Sequence, residues 1–323
     1  MRFIRHLSFE RLAFVATVAF AGATFWFAPR LPMIDLPQHA GQVAVWRDLL
    51  LGTSPWQPLV YINYFTPYLA GYGLALLLSF VLPVSAALKL LLMLAYLGFV
   101  AACVALRSRL GGDRRLDWLF IPGFFGYAYV WGFYTFLIAA PFGILFVVLA
   151  HSYADRPTPA LGVVLLLADV ALFFTHGLVF LFANAIGGLF LLLKGRPLAR
   201  LVTAVLPYAA AGLLCLAYVL VRLRLEATPV GEELAFSWGW GISRLSFLVY
   251  SVGAFAADWN FLPLLVLLLA APLVLGARLN RRDPSALIPF YVTLLIAVLA
   301  PVDAVNTGAV SYTHLTLPTI YSV

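Results

Sequence analysis

Apolar residues run along this chain in long blocks, and most charged residues lie in the stretches between them. The blocks fall at 9–28, 85–106, 116–130, 136–150, 160–175, 177–193, 201–221, 261–277 and 285–301. A backbone that crosses a bilayer has to satisfy its own hydrogen bonds, which leaves helices or closed barrels. Barrel strands alternate apolar with polar residues, and these blocks do not alternate. The pattern therefore predicts an all-α, polytopic transmembrane helical bundle of about nine spans.

A further block, 67–82, is boxed by Pro67 and Pro83 and follows an aromatic group, Tyr61, Tyr64, Phe65 and Tyr68, of the kind that gathers at headgroup level. Whether it crosses decides the orientation of everything after it. If it does not cross, 14 of the 20 basic residues lie in loops on the side of Arg2, Arg5 and Arg11, and seven of the eight tryptophans lie toward the other side. If it crosses, that bias reverses. Positive charge favours the cytoplasmic face, so 67–82 is predicted as a membrane-dipping outer helix and the N-terminus as cytoplasmic. Residues 37–51, with Val43, Trp46 and Leu50 on one stripe, predict a second outer helix, and residues 243–257 another.

Composition agrees. Only 10% of the residues are charged, against about 25% in a soluble domain. The net charge of +7 is accounted for by the loops, so it does not indicate nucleic acid; the partner it implies is membrane lipid, in the inner (cytoplasmic) membrane of a cell. Cys103 and Cys215 both fall inside apolar blocks and form no CxxC pair. The small residues Ala21, Gly22 and Ala23 resemble a signal-peptide cleavage site, but the apolar run continues through Phe25, Trp26 and Phe27, which favours an uncleaved first helix. There is no P-loop, HExxH or dinucleotide fingerprint, so ATP-driven work is not expected of this chain.

The tail has a different character. Ala309 to Thr319 reads AVSYTHLTLPT, which is what the end sequence of a transposase-based sequencing library encodes in one frame. Residues 309–323 are accordingly expected to be a translated adapter, His314 is excluded from any site, and the native chain is expected to continue beyond a membrane domain at 1–308.

Candidate chemistry collects just after the first span, in Met33-Ile34-Asp35-Leu36-Pro37-Gln38-His39-Ala40. Asp35 and His39 are four apart and share a face in a helical turn, a spacing suited to a general base with an orienting partner or to two ligands of a divalent metal. Equally, Asp before Pro37 is a common helix cap. His176, at the outer end of a span, is placed to approach Asp35, or to bond a carbonyl. Asp169 lies mid-block, where a charge costs about 2.5–3.5 kcal/mol, so it should face a cavity or a partner, with Asn184 on the next block the natural one. That intramembrane pair also admits a transporter or flippase-like carrier, although no internal repeat supports it. Trp131-Gly132-Phe133-Tyr134 is either an aromatic platform for a sugar or headgroup, or part of the ordinary interfacial belt. Glu232, Glu233 and Asp258 are further outer carboxylates.

Several features together resemble the GT-C superfamily of membrane glycosyltransferases. They are the cytoplasmic N-terminus and single span, the early acidic residue Asp35 in the first outer loop, the outer helix between Pro67 and Pro83, and the span closing on Leu106-Arg107-Ser108-Arg109-Leu110-Gly111-Gly112. Asp35-Leu36-Pro37-Gln38-His39 looks like the Asp-x-Pro-x-His pattern of some bacterial members, and Trp131 to Phe136 fits the same group. The resemblance implies a hexosyl- or pentosyltransferase that uses a polyprenyl-phosphate sugar donor, with Asp35 as catalytic base or metal ligand. A divalent metal, Mg2+ or Mn2+, held by Asp35 and His39 is part of that implication. Many members carry an acid in the second outer loop, and Trp131 to Phe136 has none, which either argues against metal dependence or leaves His39 or His176 to take its role. Trp131, Tyr134 and His176 are the implied substrate contacts, and Arg30, Arg222, Arg224 and Arg244 the outer cations available to a phosphate. A catalytically inactive scaffold with the same fold would carry the same pattern.

Overall fold

In the computed structural model, residues 9–225, 235–237, 249, 252, 259–276, 284–299, 303–305 and 320–322 are described. The described chain is helical, apart from two antiparallel ladders of three residues a strand: β1 (Val60–Ile62) with β4 (Ile320–Ser322), and β2 (Ala235–Ser237) with β3 (Asp303–Val305). Its α-helices are α1 (Phe9–Ala23), α2 (Leu36–Leu50), α3 (Leu69–Ser79), α4 (Val84–Arg109), α5 (Phe120–Gly123), α6 (Tyr127–Trp131), α7 (Tyr134–Asp155), α8 (Pro159–Thr175), α9 (Gly177–Leu192), α10 (Leu198–Leu225), α11 (Leu262–Val274) and α12 (Ile288–Leu299). Among the described residues, four stretches are long and apolar enough to cross a membrane: Phe9–Trp26, Val84–Arg109, Tyr134–Asp155 and Leu198–Val221. Shorter apolar helices fill the predicted blocks at 160–175, 177–193, 261–277 and 285–301.

Two kinds of contact fix the helix directions. At one end of the bundle Asp155, closing α7, pairs with Arg109, closing α4, and with Lys194 just beyond α9 at 2.6 Å, while Arg196 donates to the carbonyls of Ala154 and Asp155. Arg107 forks onto Asp117 at 2.7 and 2.9 Å at the same end of α4. So α4, α7 and α9 run parallel and finish together, with cations at helix C-termini where the macrodipole favours them. Next to this cluster, in the turn after α4, the Arg115 guanidinium beside Asp113 lowers that exposed carboxyl to about 2. In the middle, Gly98 of α4 faces Pro141 of α7; a Cβ there would sit 3.3 Å from the proline ring, so the glycine is what lets the two helices close. α1 runs opposite to α4, since Phe14 packs on Trp118 near the charged end and Trp26 donates to the Met93 sulfur toward the other. α10 also runs back from that end, with the Tyr153 hydroxyl on the Ala204 carbonyl and Phe65 and Phe173 against Tyr218.

The start of α3 and the start of α4 lie at the same end of the bundle. The Gly71 carbonyl accepts from the Tyr134 hydroxyl at the head of α7, and α3 is 11 residues long, about 16 Å. Such a helix alone does not reach across a hydrocarbon core of about 30 Å, and the same is true of α11 and α12, of 13 and 12 residues. α2 matches the second outer helix, with Val43 and Trp46 buried, although Leu50 is exposed.

Block 116–130 departs from expectation. It is not one helix but a 3-10 turn (Arg114–Leu119) followed by the short α5 and α6. Pro122, Gly123 and Gly126 interrupt the helical backbone there, a signal the apolar run conceals. The segment still travels the length of the bundle, from Asp117 at the charged end to Trp131 at the far one. Phe124, Phe125 and Tyr129 fill its path against Phe25 and Tyr96. The predicted helix at 243–257 lies outside the described residues except for Val249 and Val252.

Candidate functional site

The end of the bundle opposite the charged cluster is built on a backbone junction. Residues 34–35 lie against the end of α6: the Ile34 amide donates to the Val130 carbonyl at 2.9 Å and the Asp35 amide to the Trp131 carbonyl at 3.1 Å. Gly132 then turns the chain into α7 with φ +88°, a conformation that disfavours any side chain. A Cβ on it would lie 2.8 Å from the Asp35 amide nitrogen and 3.2 Å from that of Leu36. The close approach of the two chains therefore depends on glycine.

His39 closes the junction. Its Nε2 lies 2.9 Å from the Gly132 carbonyl oxygen and its Nδ1 2.5 Å from the Tyr72 hydroxyl. A carbonyl can only accept, so Nε2 carries the proton; in the neutral ring Nδ1 then accepts from Tyr72. Burial first, then the neighbouring phenols of Tyr134 and Tyr68 and the Asp35 carboxylate, hold the Tyr72 phenol well above its ordinary range, which keeps it a donor. The His39 amide donates in turn to the Asp35 carbonyl at 3.1 Å. Asp35 is thus gripped through its backbone on both sides, by Trp131 and by His39. Its side chain makes no cap bond to α2, although it stands at the N-cap position, so the capping role is not the one it serves.

The predicted site residues therefore divide. Asp35, half-buried, and His39, Trp131 and Tyr134 converge; Tyr134 is fully buried and stacks near both His39 and Tyr72. Trp131 packs near Tyr127, its ring half-buried at the junction. His176 does not join them: its ring rests edge-on against Tyr68 and Phe136. Arg30 is exposed in the loop before α2. Asp169 is fully buried and takes a hydrogen bond of 2.6 Å from Asn184, which bonds the Phe180 carbonyl as well. The expected pair is formed, and it ties α8 to α9 in the interior, about 10 Å along α8 from His176. Arg244, Glu232, Glu233 and Asp258 lie outside the described residues, as do the side chains of Arg222 and Arg224.

A metal held by Asp35 and His39 does not fit this arrangement. Both His39 nitrogens are engaged, and among the described residues no three His, Cys, Asp or Glu side chains gather to hold an ion. Two residues of the site were missed in the sequence. Tyr72 sits 33 positions from its partner His39, so no local spacing announces it. Lys89 is buried near this end of α4, donating to the Ala28 carbonyl at 2.5 Å and lying over the Trp26 ring at 6.0 Å; a single lysine in an otherwise apolar block was the available signal.

Replacing His39 with Leu strands a buried carbonyl and a buried hydroxyl. At about 1–3 kcal/mol for each unpaired group, the full chain in detergent should unfold several degrees lower. An unchanged unfolding temperature would mean the imidazole holds nothing together.

Compared with protein-family models, with curated proteins and with solved structures, the chain matches none.

Proposed function

We propose that the chain is a GT-C-like membrane glycosyltransferase of about nine passes, with a cytoplasmic N-terminus, in the inner membrane. In this reading the charged end of the bundle faces the cytoplasm and the Asp35 end faces outward, where a polyprenyl-phosphate sugar presents its head. The observation that carries the reading is Asp35 itself: a carboxylate at a bundle end, positioned by backbone bonds on both sides. A carboxylate so fixed can take the proton from an acceptor hydroxyl. The acceptor oxygen bonds the sugar's anomeric carbon, the carbon–phosphate-oxygen bond breaks, and the lipid phosphate leaves with the electron pair. His39 and Tyr72 act at one remove, by holding the junction. Trp131 offers a ring face to the sugar, and Arg30 and Lys89 are among the described cations toward this end for the phosphate.

The test is to reconstitute the full chain in vesicles with a panel of polyprenyl-phosphate hexoses and pentoses and to follow sugar leaving the lipid. Transfer above protein-free vesicles supports the reading. Absence of transfer or donor hydrolysis across the panel, with donor binding also absent, contradicts it.

A further inference from the structure

We infer that this chain carries a second lipid site, apart from the Asp35 end, which takes one acyl chain of a bilayer glycerophospholipid. A groove of about 570 Å³ lies between α3, α7 and α8. Its walls are Leu69, Gly73 and Leu77 on α3, Phe142 and Leu149 on α7, and Leu172 on α8, with their apolar neighbours. Thr175 brings the groove's one hydroxyl, and that hydroxyl is spent on the Ala171 carbonyl at 2.7 Å. The rim residues Leu74, Leu77, Phe142 and Leu145 are exposed, so the groove opens on the perimeter of the bundle, where lipid would lie. A helix is about 10 Å across, too broad for a slot of this volume, whereas a single hydrocarbon chain fits it.

The polar end of the ligand is assigned to the Thr175 end of the groove, beyond which His176 stands. It follows Thr175 directly, is only 7% exposed, and neither ring nitrogen has a hydrogen-bond partner among the described residues. Nδ1 is sealed, which leaves Nε2 as the reachable nitrogen. An imidazole kept this far from water without a partner is costly, and a lipid phosphate or ester oxygen accepting from Nε2–H would remove the cost. The rings of Tyr68 and Phe136 flank it on either side.

The geometry of α3 separates this site from Asp35. At 100° per residue, Leu69, Ala70, Gly73, Leu74 and Leu77 form one stripe, while Gly71 and Tyr72 lie on the opposite face and bond Tyr134 and His39. A chain lying in the groove is thus walled off from the carboxylate by the thickness of a helix. That favours a resident bilayer lipid over the sugar carrier, and the inference stands whether or not the protein transfers sugar.

The test is native mass spectrometry of the full chain after delipidation, titrated with phosphatidylglycerol or phosphatidylethanolamine and, separately, with a polyprenyl phosphate. One phospholipid retained per chain is expected. Ala171→Phe, which fills the groove, and Leu77→Trp, a milder change at its rim, should each weaken retention about tenfold, and His176→Leu should weaken it as well. Retention unchanged in whichever groove variants keep the parent unfolding temperature would overturn the inference. So would displacement of the phospholipid, one for one, by polyprenyl phosphate, which would assign the groove to the carrier.

Discussion

Asp35→Asn is expected to lower sugar transfer by 10²- to 10⁴-fold while leaving the protein folded. Loss of a general base is typically felt on that scale, equivalent to about 3–5 kcal/mol of barrier. Asn keeps the shape of Asp but cannot accept the proton. The structure gives the reason for expecting the fold to survive: the Asp35 backbone makes the bonds to Trp131 and His39, and Asn keeps that backbone and the side chain's shape. Unfolding temperature and initial transfer rate, measured on the same preparation, separate the two effects. If Asp35→Asn transfers at the parent rate, the carboxylate is not the base.

Gly132→Ala is expected to damage both fold and function. Alanine at φ +88° costs about 1–2 kcal/mol. Its Cβ would press on the Asp35 amide nitrogen at 2.8 Å, a backbone atom that cannot swing aside; such overpacking adds about 1–3 kcal/mol. The nearest relief is to push residues 35–36 away from α6, which breaks the junction that places the carboxylate. Gly111→Ala is the control. Gly111 has a similar φ, +70°, but nothing within 4 Å of its missing Cβ, so only the conformational cost applies and transfer should persist. Equal losses of unfolding temperature in the two variants would show that the approach to Asp35 is not tight.

Much of this architecture was legible because a membrane solvent imposes simple patterns. The apolar blocks located α4 and α7 to α9 within a few residues, and the basic residues at their ends predicted which ends gather: Arg109, Lys194 and Arg196 do meet around Asp155. The block at 116–130 misled because hydrophobicity reports burial, not helical continuity, and Pro122, Gly123 and Gly126 decide continuity. Within the site, Asp35 and His39 were found by their spacing, but the use of His39 was not. Its partners, the Tyr72 hydroxyl and the Gly132 carbonyl, come from 33 and 93 residues away, and only the packed bundle brings them together. His176 illustrates the same limit. Its place at a span end was readable, yet its contacts with Tyr68 and Phe136 depend on how α3 and α7 pack.

Everything functional rests on which side of the membrane the junction faces, and that side can be read with an impermeant maleimide on intact cells. In a background with Cys103 and Cys215 replaced, Arg30→Cys reports the Asp35 end and Arg156→Cys, exposed after α7, reports the charged end. The account predicts labelling of Arg30→Cys from outside, and of Arg156→Cys only after permeabilisation. The reverse pattern would put Asp35 in the cytoplasm and contradict it.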